Sequence, residues 1–509
     1  MSSAAAQTAD IDGPRRALIT VSVMLASIMS SLDTTIANVA LPRIQGSVSA
    51  TQDQMAWVLT SYIVAAAIMT PLSGWLTGQI GRNRVFLYSV AGFTVTSMLC
   101  GVAQSLPQIV LARLLQGLCG AALVPLSQAV LLDINPPEQH AKAMAIWVMA
   151  VTIGPILGPA LGGWLTEHYN WRWVFYINVP FGILSFFGIL TFMPETSIRK
   201  SRFDFFGFVA LSMAIGAFQL MLDRGQLKDW FSSTEIWIEA IVAGTAFYLF
   251  VTHMLTTSKP AFVSPALFKD RNFLTGNLFI FVVGVVLFAT LALLPPLLQD
   301  LLDYPVVLTG LVTAPRGVGT LMAMFIVGRI MGKVDTRLII AAGFALTAFS
   351  LWQMTGFYLQ MDTAPVIWSG LAQGLGTGFV YVPLAAITFA TLSPKFRNEG
   401  TALFSLVRNI GSSIGISVVE TLLTRGSQTM HARLAEQVTP YGSEAHAHLS
   451  GSHAGALAML NHTVSQQAAM IAYNNDFKLM MILTLCAVPL VVLLRSGRRR
   501  PADEMVIIE

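Results

Sequence analysis

The chain is expected to fold as an all-α membrane protein of fourteen transmembrane helices, arranged as two six-helix halves with two helices inserted between them. Three observations point to this class. First, 54% of the 509 residues are hydrophobic and only 11% are charged, with a mean hydropathy of +0.66. Soluble domains carry about 25% charged residues, so much of this surface must face hydrocarbon. Second, about fourteen apolar runs approach the roughly 20 residues that a helix needs to cross a bilayer. Third, the sequence repeats itself at an offset of about 255 residues.

In order, the runs lie near 17–41, 54–77, 85–106, 107–132, 143–166, 173–193, 205–223, 234–257, 272–298, 306–331, 338–360, 364–392, 401–424 and 477–494, numbered here as spans 1 to 14. Ser105, Leu106 and Pro107 split spans 3 and 4, which suits a tight turn, because the residue before a proline avoids the helical region. Span 8 is the least apolar, with Glu235, Glu239 and His253. Arg15 and Arg16 precede a run longer than a signal-peptide core, so span 1 is expected to stay as an anchor. Lysine and arginine sort to alternate gaps. One side collects Arg82, Arg84, Lys142, Arg199, Lys200, Arg202, Lys259, Lys269, Arg271, Lys333, Arg337, Lys395, Arg397 and the tail arginines; the other keeps Arg43, Arg172, Arg224, Lys228, Arg425 and Arg433. By the positive-inside rule the first side is cytoplasmic and holds both termini. The net charge of +4 and pI of about 9.0 then describe cytoplasmic loops rather than a nucleic-acid surface.

The repeat defines the halves. Gly74 to Arg82, closing span 2, matches Gly328 to Arg337, closing span 10. Gln116-Gly117 with Pro125-Leu126 matches Gln373-Gly374 with Pro383-Leu384. Ile153-Gly154 and Gly158 match Ile410-Gly411 and Gly415. The expected division is residues 1–198, a two-helix insert at 199–260, and residues 261–509. Paired six-helix halves are a transporter design with the substrate site at their interface. Residues 426–470 are expected to form the one long external segment, as a solvated loop or a partner contact. His431, His446, His448, His453 and His462 lie there, but their spacing matches no metal-ligand motif, so no metal site is assigned. Cys100, Cys119 and Cys486 are scattered through apolar runs, which argues against a disulfide framework.

Asp33 is the single charge in span 1. A carboxylate in hydrocarbon costs about 2.5–3.5 kcal/mol on insertion scales and therefore calls for a partner, a proton or water. With span 1 ending near Leu41, Asp33 lies about 12 Å below the outer surface, and Arg113 in span 4 about 9 Å below it. The two charges can form a static structural pair or a proton-linked pair. The segment Thr152 to Gly163 spaces Gly154, Pro155, Gly158, Pro159, Gly162 and Gly163 along span 5. Small residues there allow close packing, and the prolines suit a hinge-like face between the halves. Arg316, Arg408 and Glu420 are candidate charges of the C-terminal cavity. Asn38, Tyr62, Gln116, Gln128, Phe379 and Tyr381 are candidate substrate-cavity residues, while Trp57 and Trp147 read equally well as packing. Gly74, Gly81 and Arg82 form a candidate inner gate.

No GxxxxGK[ST], HExxH or GxSxG motif is present, so the chain carries no sign of ATP hydrolysis or of a membrane protease or esterase. LDTTIANVALP at Leu32 to Pro42, RLLQG at Arg113 to Gly117 and GPILGPALGG in span 5 resemble signature motifs of the fourteen-helix drug:proton antiporters of the major facilitator superfamily. QLMLDRGQLKDWFSS at Gln219 to Ser233 and QQAAMIAYNNDF at Gln466 to Phe477 resemble the EmrB branch of that family. The resemblance implies proton-driven export of hydrophobic compounds across the bacterial inner membrane, with no cofactor, Asp33 as the proton-linked acid and Arg113 as its partner. It also implies a periplasmic adaptor protein and an outer-membrane channel if the source is Gram-negative. An exporter of one endogenous metabolite, such as a siderophore or fatty acid, is the alternative. One position departs from the superfamily pattern. The loop after span 2 has Gly78 where an acid is usual, so gating there is expected to rest on Arg82, Arg84 and the helix ends.

Overall fold

The computed structural model describes residues 12–50, 52–136, 139–195, 198, 202–257, 261–437 and 453–494. Thirteen helices among them are long and apolar enough to cross a bilayer. Span 5 is the further one: its helix His140–His168 runs for 29 residues and holds the apolar stretch Lys142–Thr152.

Several helices outlast their apolar runs. Span 1 extends over Gly13–Val48, past the expected end at Leu41. Span 13 is one helix from Arg397 to Gln437, and span 14 starts at His453 and reaches Leu490. The described parts of that segment, residues 426–437 and 453–470, are thus helical rather than the loop expected from its polarity. His431 and Asn461 join the two extensions, with Nε2 and Oδ1 2.9 Å apart. His446 and His448 lie outside the described residues. Hydropathy marks only the part of a helix that meets lipid; alanine- and glutamine-rich stretches keep their helical backbone in water.

Other spans break where proline removes a backbone donor. Span 4 divides into Leu106–Gly120 and Leu123–Ile134, ahead of Pro125. Span 10 divides into Val306–Thr313 and Pro315–Ile330.

Within the first half, span 1 packs on spans 4, 5 and 6, and span 2 on span 4; within the second, span 12 packs on spans 10 and 11, and span 13 on spans 9 and 14. The halves meet where span 2 touches span 13 and where span 5 touches spans 10 and 12. Span 7 (Phe205–Arg224) lies against both span 2 and span 13. Gln219 Nε2 donates to Ser413 Oγ at 2.8 Å, Ser417 Oγ to the Leu222 carbonyl at 2.8 Å, and Thr60 Oγ1 to Asp223. Span 7 therefore touches both halves along one seam. Span 8 (Thr234–Thr256) is the least buried of the thirteen. At the start of span 7, Asp204 accepts from the backbone N–H groups of Gly207 and Phe262 and pairs with His253. Burial raises that carboxyl, but these donors outweigh it and hold Asp204 below the usual carboxylate range.

Spans 10 and 12 approach through glycine. A Cβ at Gly374 would fall 1.8 Å from the Arg316 carbonyl oxygen, whereas one at Gly244 in span 8 meets nothing within 4 Å. Gly374→Ala is expected to destabilise the fold by about 1–3 kcal/mol through overpacking. Thermal unfolding in detergent checks this, with Gly244→Ala as the control that stays near wild type; equal midpoints for the two variants would refute the packing argument.

Candidate functional site

Asp33 lies within the long helix of span 1 and is completely buried, as is Arg113, at 0% and 1% side-chain exposure. The pair forms with Arg113 Nη1 2.6 Å from Asp33 Oδ2. The other carboxylate oxygen accepts from Gln116 Nε2 at 2.9 Å and from Asn178 Nδ2 at 2.8 Å. Arg113 and Gln116 stand one turn apart on span 4, so one helix face presents both donors. Asn178 opens the second segment of span 6.

The shell is also tied to its neighbours. Arg113 donates to Gln116 Oε1 at 2.8 Å and to the Val58 carbonyl at 3.2 Å, and Asn178 reaches Ser97 Oγ at 3.0 Å. The Tyr62 ring lies 4.4 Å from the guanidinium carbon, close enough for a cation–π contact. Three helices thus meet at one carboxyl group, whose two oxygens both accept hydrogen bonds.

Gly154 and Gly158 explain why span 1 sits so close to span 5. A Cβ at Gly154 would be 2.3 Å from the Ser31 carbonyl carbon, and one at Gly158 2.2 Å from Thr35 Oγ1. Thr35 Oγ1 donates to the Gly154 carbonyl at 2.9 Å. These glycines therefore face span 1 of the same half, on either side of Asp33 in sequence, rather than the opposite half. Gly162 is buried and Gly163 half-buried in the same helix. The Pro155 and Pro159 side chains lie outside the described ones.

A second charge cluster closes one end of the molecule. Asp133, at the end of span 4, pairs with Arg82 from the first half and, at 2.6 Å, with Arg397 from the first turn of span 13. Asn398 Nδ2 donates to Thr77 Oγ1 at 3.2 Å, and a Cβ at Gly74 would stand 3.1 Å from the Glu399 Cα. Gly81 takes a φ of 90°, which lets the chain turn directly from span 2 into span 3. The acid that Gly78 lacks is thus supplied to Arg82 by Asp133. Arg84 instead makes an exposed contact with Glu195 at 3.7 Å. Neither Asp133 nor Arg397 stands out in the sequence, because each reads as an ordinary charge at a helix end.

The second half repeats the geometry without the acid. Gln373 stands 257 residues after Gln116, and Thr290 the same distance after Asp33. Gln373 Nε2 donates to Thr290 Oγ1 at 3.1 Å, as Gln116 does to Asp33. Arg316 is buried in span 10, and Arg408 in span 13 donates to the Tyr381 hydroxyl at 2.9 Å. Tyr381 packs against Trp147 of span 5, ring centres 5.9 Å apart, so this contact crosses between the halves.

The candidate cavity residues do not gather at one place. Tyr62 and Gln116 belong to the Asp33 cluster. Gln128 is buried against Met144, and Tyr381 belongs to the contact between the halves. Asn38 is exposed and Phe379 half-buried. Glu420 is exposed on span 13, away from the Arg408–Tyr381 contact. Sequence reasoning passed over Asn178, a lone amide in an apolar run; its polarity in that setting was the available signal.

The model for the Major Facilitator Superfamily matches residues 23–416. The fatty acid resistance protein FarB of Neisseria gonorrhoeae is 38% identical, covering 94% of this chain and 96% of its own length. The multidrug export protein EmrB of Escherichia coli K12 is 36% identical, covering 92% and 94%. Among solved structures, the human organic anion transporter MFSD10 aligns with a TM-score of 0.59 at 15% identity, over 93% of this chain and 100% of that one, a likeness of fold. The paired six-helix halves, the motif geometry around Asp33 and these matches together establish that the chain belongs to the Major Facilitator Superfamily, as a multi-pass membrane transport protein rather than an enzyme.

Proposed function

We propose that this chain exports hydrophobic compounds in exchange for protons across a bacterial inner membrane, with both termini and the Arg82 end in the cytoplasm. The observation that carries the reading is the buried Asp33 carboxylate, held by Arg113, Gln116 and Asn178 from two neighbouring helices. Ionisable groups inside a membrane domain mark ion paths. A rearrangement that withdraws the donors would favour the protonated acid, and their return would favour its release. The relatives, a multidrug exporter and a fatty acid resistance protein, support hydrophobic cargo. The same reading divides the chain near residues 198 and 260 and, in a Gram-negative source, couples it to a periplasmic adaptor and an outer-membrane channel.

The direct test is ethidium movement in proteoliposomes with an imposed pH gradient. Expected is uphill ethidium transport with counterflow of protons, reversed when the gradient is reversed; ethidium movement insensitive to the gradient would defeat the reading. Orientation has its own measurement. A cysteine in place of Ser443, in a background lacking the native cysteines, is expected to react with an impermeant thiol reagent from the periplasmic side. Labelling only after the inner membrane is opened would reverse the topology.

A further inference from the structure

We propose that His140 is a further proton-binding residue, one that senses the solution at the Arg82 end and loosens the closure there when it is charged. His140 is the first residue of the span 5 helix and precedes its apolar stretch. It is half-buried, and its Nε2 lies 3.1 Å from the Asn135 carbonyl oxygen, two residues beyond Asp133. A carbonyl only accepts, so Nε2 carries the hydrogen and Nδ1 is the atom left to take a proton. Among the described residues, the charged groups that act on the ring are Arg397 and Asp133. Asp133 is the carboxylate that joins Arg82 to Arg397. The ring thus stands beside the contact that closes this end. On its own helix the next charge, Lys142, is exposed.

The repeat gives the position its meaning. Arg397 stands 257 residues after His140 and likewise opens its helix, span 13. At this place one half has a permanent cation and the other a titratable one. The acid is not repeated, because the counterpart of Asp133 is Ala390. Arg397 therefore crosses to an acid of the first half, and that one acid already serves two arginines. Charging His140 while the end is closed places a third cation around it. Burial and the Arg397 guanidinium accordingly lower the ring below the usual histidine range, outweighing the Asn135 and Leu132 carbonyls and Asp133, which favour the charged form. When the halves part, Arg397 leaves with the second half, while His140 and Asp133 stay in the first. Repulsion and burial are then relieved, and the attraction to Asp133 remains. The open end binds the proton more tightly than the closed end. The closure is therefore strongest above the usual histidine range, about 6.5, and weakens as pH falls through it towards the lowered value.

The test is a distance measurement by pulsed electron resonance on the full chain in zwitterionic nanodiscs. Spin labels replace Arg84 and Lys395, one from each half and both exposed, in a background lacking the native cysteines. Between about pH 8 and about pH 5.5 the ratio of long to short distances is expected to rise about three- to tenfold. Asp33 titrates in every variant, so the readout is the difference that His140 makes. His140→Gln, which keeps a donor for Asn135 but takes no proton, is expected to stay near the wild-type ratio of high pH. His140→Lys, always charged, is expected to show the acid ratio even at about pH 8. Either variant carries the test if the other fails to fold. Superimposable pH curves for wild type and His140→Gln overturn the proposal and pass the response to another acid of this end, such as Glu399, which accepts from the Ser264 backbone N–H. A His140→Lys ratio equal to that of wild type at high pH overturns it as well. The distances are read without pumping or cargo, so failure of the exporter reading in proteoliposomes leaves this inference standing, and the reverse holds too.

Discussion

Asp33→Asn is expected to abolish uphill export. One proton moving down a potential of 100 mV releases about 2.3 kcal/mol, which sustains a substrate gradient of about fiftyfold. Without a proton carrier that gradient falls to unity, whatever binding remains. The geometry adds a second effect. Asparagine copies the shape of aspartate but not its hydrogen bonding, because its NH2 would face donors: Arg113 on one side, or Gln116 and Asn178 on the other. Arg113 would also lose its counter-charge, and breaking a buried ion pair from one side costs about 3–5 kcal/mol. The substitution is therefore expected to lower stability as well as coupling. Asp33→Asn combined with Arg113→Gln removes both charges and is expected to recover stability without recovering transport. Efflux in vesicles under an imposed pH gradient and thermal unfolding in detergent separate the two effects. Wild-type uphill transport by Asp33→Asn would place the proton elsewhere, with Glu420 the next residue to substitute.

The second large effect is conformational. Asp133→Asn is expected to loosen the Arg82 end of the molecule, where one carboxylate holds an arginine from each half. Charge-assisted hydrogen bonds contribute about 1.5–3 kcal/mol each when buried. The Asp133 side chain is 30% exposed, so solvent screening reduces the combined effect to about 1–3 kcal/mol. That shifts an equilibrium between closed and open ends by about 5–150-fold. A cross-link formed by a short thiol-reactive bifunctional reagent between Thr77→Cys and Asn398→Cys reports on it, since the Asn398 amide nitrogen and the Thr77 hydroxyl lie 3.2 Å apart across the halves. Its formation is expected to slow markedly in the Asp133→Asn background and to be restored by Asp133→Glu. An unchanged cross-linking rate would show that Asp133 does not hold this end together.

The expected pairing of Asp33 with Arg113 followed from depth, a charge in span 1 and another in span 4 at similar distances from one surface, and from the motif resemblance. Depth has no azimuth, however. It could not say that Gln116 would turn towards the same carboxylate, or that Asn178 would arrive from span 6. The expected hinge face of span 5 shows the same limit. Glycine spacing signals close approach, and Gly154 and Gly158 do approach closely, but their partner is span 1 rather than the other half. The expected loop at residues 426–470 failed for a different reason. Hydropathy reports contact with lipid, and the polar ends of spans 13 and 14 remain helical beyond it.

What the sequence by itself determined is whatever follows from the solvent. The cost of unpaired peptide groups in hydrocarbon requires helices, the length of the apolar runs counts them, and the repeat groups them into halves. It also determined that Asp33 needs a partner, since a lone carboxylate is costly in that medium. Which groups meet was decided only in the tertiary structure. Asp133 finds Arg82 and Arg397 from opposite halves, and Arg316 meets no acid among the described residues, because side-chain partnership depends on helix rotation and on glycine-limited approach between spans far apart in the chain. The physical reason is that hydrocarbon acts on each helix separately, whereas pairing is a property of surfaces that only packing brings together.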